Sequence, residues 1–212
     1  FAIIIMEYLF KNTGTQSQAV EEKKTGHKKH ILHALYFNGP LSNSELSKLI
    51  RLSTPKINSL LVELIEDGLV KELGRGDSSG GRRPNIYGLV EDGFYVVGIT
   101  ININRTIISI FNSNNQEVSG PHYFPVKMQS DLEIFRQVNN KLEEVVKNSG
   151  IGRKKILVAG IELPGVINPD LGINKTYFPQ VANLYEELRK IFGIPVYFNH
   201  DSKVRTFAEQ YF

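Results

Sequence analysis

The chain has 212 residues, no cysteine and a formal net charge of +3. This length suffices for one large domain or two modest ones, and its 41% hydrophobic and 22% charged residues are typical of a globular protein. The lack of cysteine excludes disulfide frameworks and thiolate metal sites and suits a reducing cytosol, so we expect a cytoplasmic protein. The opening FAIIIMEYLF is apolar for only about ten residues, so neither a membrane span nor a secretory signal is predicted.

The positive charge is unevenly distributed. Residues 1–90 hold 12 Lys and Arg against 9 Asp and Glu, whereas residues 91–212 hold 13 of each. A surplus of three is weak evidence for a nucleic-acid partner by itself. The helices and strands predicted within residues 1–90 are therefore needed to interpret this charge.

Residues 11–26 are polar and aperiodic, which predicts a flexible arm or frayed helix within an N-terminal arm of residues 1–26. A first helix follows from residue 27 and ends at Asn38-Gly39-Pro40. Ser42 stands three residues before Glu45, the spacing of a capping box, and so begins a second helix. The apolar residues of these helices are predicted to face a common core: Ile31, Leu32, Leu35, Tyr36, Leu46, Leu49 and Ile50.

A third helix is predicted from Ser53 or Thr54 as cap, with Pro55 in its first turn and an end near Asp67-Gly68. Its apolar stripe comprises Ile57, Leu60, Leu61, Leu64 and Ile65, and its outward face Thr54, Lys56, Asn58, Ser59 and Glu63. Two strands follow, LVKEL (69–73) and NIYGL (85–89). Three helices and a hairpin predict a winged helix-turn-helix domain over residues 27–90.

The loop between the two strands, GRGDSSGGRRP, is rich in glycine and arginine. In a winged helix this loop lies against DNA beside the third helix, where glycines allow close approach and arginines reach phosphates or the minor groove. The alternative is a solvated loop whose arginines have no ligand; the preceding helix-turn-helix pattern favours DNA contact. The candidate DNA-binding residues are Ser53, Thr54, Pro55, Lys56, Asn58, Ser59, Arg75, Arg82 and Arg83.

His27, His30 and His33 recur at every third residue, a spacing that can align metal ligands on a helix. No acidic or further histidine partner stands beside them in the sequence. We therefore interpret them as exposed helix histidines and assign no metal site.

The second half predicts a mixed α/β domain over residues 91–212. Residues 94–126 alternate apolar and polar side chains in three runs, which indicates an antiparallel meander. The later elements are a helix over 130–150, a strand over 155–165, a helix over 183–193, a strand over 194–199 and a helix over 201–212.

Four segments in this order resemble the ROK family (repressors, open reading frames, sugar kinases): SGGRRPNIYGL, VVGITININRTIISI, VAGIELPGVINPDLG and FGIPVYFNHDSKVRTFAEQ. The similarity extends from about residue 28 to the last residue and is greatest with the repressor branch that includes xylose and N-acetylglucosamine regulators. It implies a winged helix joined to the first lobe of an actin-like, ribonuclease-H-type ATPase fold. The family's second lobe, with its zinc-binding cluster, would follow residue 212, so this chain is either a fragment or a half-length regulator.

Two further departures from the family concern its ligands. Kinases of the family carry Asp-x-Gly-Gly-Thr at the first hairpin, where glycines cradle ATP phosphates; this chain has Thr100, Ile101, Asn102, Ile103 and Asn104. The family's sugar site has Asn-Asp, whereas here His200 precedes Asp201 and Asn199 stands one place early. Asp201 is either a sugar ligand or simply the cap of the helix that follows it.

The resemblance therefore implies a sequence-specific transcriptional regulator of sugar metabolism that binds a double-stranded operator as a homodimer. A sugar or sugar phosphate would bind near Pro164, Gly165, Asn199, His200 and Asp201; no cofactor and no enzymatic activity are predicted. The alternatives are a sugar kinase with an added winged helix and a winged helix that serves only protein contacts.

Overall fold

The computed structural model describes residues 18–76, 83–200 and 202–203. The chain divides into two compact units between Phe94 and Tyr95. No helix among the described residues is long and apolar enough to cross a membrane.

The first unit contains three helices and three strands. They are α1 (Gln18–Asn38), β1 (Leu41–Ser42), α2 (Asn43–Ile50), α3 (Thr54–Glu66), β2 (Val70–Arg75) and β3 (Asn85–Leu89). The strands form an antiparallel sheet in the order β1-β3-β2. Three helices followed by a hairpin confirm the predicted winged helix-turn-helix.

Local sequence explains where the helices of this unit begin. The Ser42 hydroxyl accepts the Glu45 N–H at 3.2 Å, and the Glu45 carboxylate accepts the Ser42 N–H at 2.7 Å, so the predicted capping box is present. The Ser42 hydroxyl also donates to the Glu45 carboxylate at 2.7 Å, and this hydrogen bond, followed by that of the Ser42 N–H, holds the pKa of Glu45 below its ordinary value. Ser53 is the N-cap of α3 as predicted, although its side chain makes no capping hydrogen bond.

Most of the predicted core residues of the three helices are buried. Ile31, Leu32, Leu46, Ile57, Leu60 and Leu64 have no exposed surface, and burying side chains of this size stabilises the fold by roughly 2 kcal/mol each. The prediction was wrong for Leu49 and Ile65, which are 56% and 40% exposed. Both lie at the edge of their stripe, where helical periodicity cannot specify which edge the neighbouring helix covers.

Two predictions about α1 and α3 also need correction. Helix α1 begins at Gln18, so the part of the predicted arm within residues 18–26 is helical. Glu63 does not belong to the outward face of α3: its carboxylate contacts Lys24 Nζ at 2.8 Å and Lys28 Nζ at 3.0 Å. Lys28 also pairs with Asp67 at 2.9 Å. Periodicity missed these contacts because they are made by polar side chains between two helices.

The second unit is an α/β lobe. Its main elements are β4 (Tyr95–Ile101), β5 (Thr106–Asn112), β6 (Glu117–Phe124), α4 (Glu133–Ser149), β7 (Ile156–Leu163), β8 (Ile167–Asn168), β9 (Ile173–Asn174), α5 (Leu184–Phe192) and β10 (Val196–His200). Five strands form one sheet in the order β10-β7-β4-β5-β6. Strands β10, β7 and β4 are parallel, and β5 and β6 continue as the antiparallel meander predicted from the sequence.

One face of this sheet packs into the core of the second unit. Side chains at alternate positions of β4, such as Val97 and Ile99, are buried with Ile134 and Phe135 of α4 and Leu188 of α5, as the period of two in a strand requires. The helix predicted over 201–212 lies outside the described residues except for residues 202 and 203.

The turn that follows β7 is organised by Asn174. This side chain is fully buried; its amide donates to the Pro164 carbonyl at 3.0 Å, and its oxygen accepts the N–H groups of Thr176 and Tyr177 at 3.2 and 3.1 Å. Gly165 lies in this turn with φ of +102°, and a Cβ there would come within 2.8 Å of Thr176. Gly165 is thus required by the turn itself.

Replacing Glu63 tests the contacts between α1 and α3. The lysine hydrogen bonds, that of Lys24 first, hold the pKa of Glu63 below its ordinary 4.5, so its contribution to stability is complete above about pH 5 and is lost as pH falls through the folded-state pKa. At pH 7, we expect Glu63→Gln to lower the free energy of unfolding by about 1 kcal/mol. Urea unfolding of the whole chain, followed by circular dichroism, should show this deficit shrinking below pH 4.5. An equal deficit for the exposed control Glu66→Gln would contradict the assignment.

Replacing Asn174 tests the turn after β7. Asn174→Ala leaves a part-buried carbonyl and two N–H groups without their partner, and we expect a loss of roughly 1–3 kcal/mol in unfolding free energy. The exposed control Asn140→Ala should change this free energy by less than about 0.5 kcal/mol. Similar unfolding curves for both variants would refute the organising role of Asn174.

Candidate nucleic-acid interface

The N-terminal half of α3 presents a polar face. Thr54, Lys56, Asn58 and Ser59 are exposed, whereas Ile57, Leu60, Leu61 and Leu64 on the opposite face are buried in the first unit. The apolar stripe thus fixes the rotation of the helix about its own axis. A helix held in this way can present its polar side chains to the major groove of DNA.

The start of α3 is open to an anion. The first helical hydrogen bond joins the Ile57 N–H to the Ser53 carbonyl at 3.0 Å, so the N–H groups of Thr54 and Lys56 precede the helical ladder. Ser53 does not cap them, and Pro55 has no N–H to satisfy. These donors, together with the positive end of the helix dipole, favour a phosphate near Lys56.

The base of the wing places two arginines beside each other. Strands β2 and β3 pair through Arg75 and Asn85, and the Gly76 N–H donates to the Pro84 carbonyl at 2.9 Å. Arg75 and Arg83 are both exposed at this base. Arg82 lies outside the described residues.

A solvent-filled notch of about 480 Å³ lies where α2, α3 and the base of the wing adjoin. Its lining includes Asn43, Ser44, Asn58, Arg83, Asn85 and Tyr87. The structure thus brings Asn58 and Arg83, both predicted from the sequence, to one place. The sequence analysis did not predict the other four residues as part of this site. The capping box had located the start of α2, but the pairing of β1 with β3 is what brings it close to the wing base.

Among the described residues, which include the three histidines of α1, no group of three histidine, aspartate or glutamate side chains is close enough to hold a metal ion. The prediction that all three are exposed was wrong for His27 and His33, which are half-buried. Burial lowers the pKa of both rings. A smaller contribution in the same direction comes from the charge of Lys23 for His27 and from that of His30 for His33.

The predicted ligand residues of the second unit lie at the carboxyl edge of its sheet. Leu163 and His200 are register partners in the parallel strands β7 and β10, so Pro164 follows one strand where Asn199 and His200 end the other. Such edges are common ligand sites in α/β folds. The His200 Nδ1 lies 3.0 Å from the Ser202 hydroxyl and accepts the Ser202 N–H at 3.3 Å. Asp201 lies outside the described residues.

The turn between β4 and β5 is closed by its own side chain. The Asn102 side-chain oxygen accepts the N–H groups of Asn104 and Arg105, each at 2.9 Å. The Asn102 N–H donates to the Arg105 carbonyl at 3.0 Å. Three backbone donors of this turn, the N–H groups of Asn102, Asn104 and Arg105, are therefore already satisfied.

Glu162 is a half-buried carboxylate that the sequence analysis did not single out. It is the register partner of Thr100 in β4 and of Asn199 in β10, and the Thr100 hydroxyl donates to it at 3.2 Å. A charged residue within the otherwise apolar run ILVAGIELPG was the signal in the sequence. Its partners became evident only from the strand register.

Comparison with known proteins agrees with this architecture. Residues 25–71 match the family described as winged helix-turn-helix DNA-binding. This span runs from within α1 to the start of β2 and includes all of α3.

Curated relatives extend the similarity into the second unit. The xylose repressor of Caldicellulosiruptor bescii is 30% identical over 187 residues, which cover 86% of this chain and 46% of that protein. The DNA-binding transcriptional dual regulator NagC of Escherichia coli is 27% identical over 179 residues, 82% of this chain and 43% of that protein. The chain spans about half the length of the curated relatives it matches.

A solved structure shares the fold. A ROK family transcriptional regulator, described as a homologue of the Escherichia coli Mlc protein, superposes with a TM-score of 0.67 over 90% of this chain and 49% of its own. At 20% identity, this likeness shows the fold, a winged helix followed by the first ribonuclease-H-type lobe. The similarity to curated repressors confirms the predicted resemblance to xylose and N-acetylglucosamine regulators.

Proposed function

We propose that the chain is a sequence-specific DNA-binding transcriptional regulator of sugar metabolism. The observation that carries this proposal is the exposed polar face of α3, with its uncapped N-terminus beside the arginine-bearing base of the wing. The relatives named as xylose repressor and transcriptional regulator support it. The winged helix is the part of the chain that would contact the operator.

Helix α3 would enter the major groove with its N-terminal half. Thr54, Lys56, Asn58 and Ser59 offer hydroxyl, ammonium and amide groups, which can form hydrogen bonds with base edges. Ser53 and Pro55 would bring the start of the helix close to the groove. The small side chains around Lys56 leave room for this approach.

Arginines would hold the wing against the DNA backbone. Arg75 and Arg83 are exposed at the wing base, and Arg82 stands next to Arg83 in the sequence. Guanidinium groups form strong bidentate contacts with phosphate oxygens. These contacts position the domain without reading sequence.

The second unit would supply the response to a sugar. We propose the carboxyl edge around Pro164, Asn199 and His200 as the effector site, together with Gly165 and Asp201, for a sugar or sugar phosphate. Coupling between such a site and DNA affinity is commonly about 1–3 kcal/mol. A homodimer on paired half-sites follows from the geometry of helix-turn-helix recognition.

The alternative of a sugar kinase is disfavoured by the turn between β4 and β5. The Asn102 side chain already accepts two N–H groups of this turn, and Thr100 stands where the kinases have aspartate. We therefore propose a regulator without kinase activity. Sugar-dependent ATP turnover well above background in a coupled assay with a panel of hexoses would contradict this.

Removing two cations from the interface tests the DNA-binding role. In anisotropy titrations with duplex DNA from the region upstream of the gene, Lys56→Ala with Arg83→Ala should weaken binding and reduce the salt slope of log K by about two. The reason is that fewer counterions are released on binding when each of these cations is removed from the interface.

The matched control is Lys147→Ala with Arg189→Ala, which removes the same charges from exposed positions on helices α4 and α5. This control should retain the affinity and salt slope of the wild type. Equal effects in the two double variants would show that net charge alone, and not the α3 face, governs binding.

A further inference from the structure

The notch between α2, α3 and the wing base has the chemistry of an anion site. Among the described residues that line it, Arg83 is the one charged side chain, and carboxylates are absent from that set. Arg83 also makes no ion pair within the described part of the chain. The other lining side chains include the amides of Asn43 and Asn58 and the hydroxyls of Ser44 and Tyr87, all of which can donate hydrogen bonds.

The two amides are arranged so that donors remain available. The Asn43 amide nitrogen donates to the Asn58 side-chain oxygen at 3.2 Å. This contact occupies the acceptor of Asn58 and leaves the Asn58 NH₂ group to face another partner. Asn43 therefore ties the start of α2 to the exposed face of α3 and sets the orientation of Asn58.

The carboxylate of Glu45 is not among the groups that line the notch. Glu45 lies on the first turn of α2, but its carboxylate accepts both the Ser42 N–H and the Ser42 hydroxyl at 2.7 Å. It is thus engaged in the capping box. The Ser44 hydroxyl, 3.0 Å from that of Ser42, can rotate toward a ligand.

The size and position of the notch indicate the ligand. Its volume of about 480 Å³ far exceeds the ~30 Å³ that one water occupies in the liquid, so a segment of a polymer can enter it. The notch shares Asn58 with the face of α3 and Arg83 with the wing. A DNA strand that flanks the groove occupied by α3 would therefore present its backbone here.

We propose that this notch binds a phosphodiester of the DNA backbone, with Arg83 as the cation, Asn43, Ser44 and Asn58 as hydrogen-bond donors, and Asn43 as the positioning residue for Asn58. This inference rests on the proposed DNA-binding function. It assigns Asn58 to the backbone instead of to base reading and adds Asn43 and Ser44 to the interface. Their contribution to affinity is accordingly independent of base sequence.

A charge placed inside the notch tests the proposal. Asn43→Asp adds an acidic residue to the first turn of α2, where the helix dipole favours it, so folding should be retained. In anisotropy titrations of the whole chain with a labelled duplex, we expect about tenfold weaker binding and a salt slope lower by about one. The loss should be the same factor for the upstream duplex and for a scrambled duplex of equal length.

The matched control is Asn140→Asp, the same exchange at an exposed position of α4, which should bind within about twofold of the wild type. Asn58→Ala should also weaken both duplexes by one common factor. An Asn43→Asp variant that binds like Asn140→Asp would overturn the phosphate notch while leaving DNA binding intact. A loss confined to the upstream duplex would also overturn it, because that result is the signature of base reading.

One further outcome distinguishes a DNA phosphate from free phosphate as the ligand. Another distinguishes failure of this inference from failure of the proposed function. Inorganic phosphate can be titrated at constant ionic strength for this purpose. If the wild type binds it saturably, and Asn43→Asp abolishes that binding but leaves the duplex affinity unchanged, the notch is a site for a free anion and the DNA contact is overturned. A wild-type chain that binds no duplex at low salt would overturn the proposed function and this inference with it.

Discussion

The geometry of the proposed DNA-binding face depends on the burial of the apolar stripe of α3. Ile57, Leu60 and Leu64 have no exposed surface, and this burial fixes which side of the helix faces water. Ion pairs from Lys24 and Lys28 to Glu63 add a second constraint on the flank of the same helix. The small polar residues at the start of α3 are therefore presented by packing and not by any preference of their own.

The position of β3 between β1 and β2 constrains the wing in turn. Strand β1 is only two residues long, yet it pairs with Ile86 and Tyr87 and so anchors the start of α2 to the wing. The capping box begins α2 at the same point. These short-range features together create the notch, whose polar lining comes from three elements that are separated in the sequence.

Much of the fold could be predicted from the sequence because the signals were local. Hydrophobic periodicity located α3, the Ser42–Glu45 spacing located α2, and the three alternating runs located the meander. The errors have a common physical cause: whether Leu49, Ile65 or Glu63 is covered depends on the neighbouring helix. The site followed the same rule. Lys56 and Arg83 could be predicted from local patterns, whereas Asn43 finds its partner through the packing of α2 on α3 and Glu162 through strand pairing.

We propose that the start of α3 and the wing base form one surface for duplex DNA. Hydrogen–deuterium exchange of the whole chain, with and without saturating duplex, tests this surface most directly. We expect new protection in peptides that contain residues 54–59 and 83–85, with little change in α4. Protection confined to the second unit, with residues 54–59 exchanging as in the free chain, would contradict it.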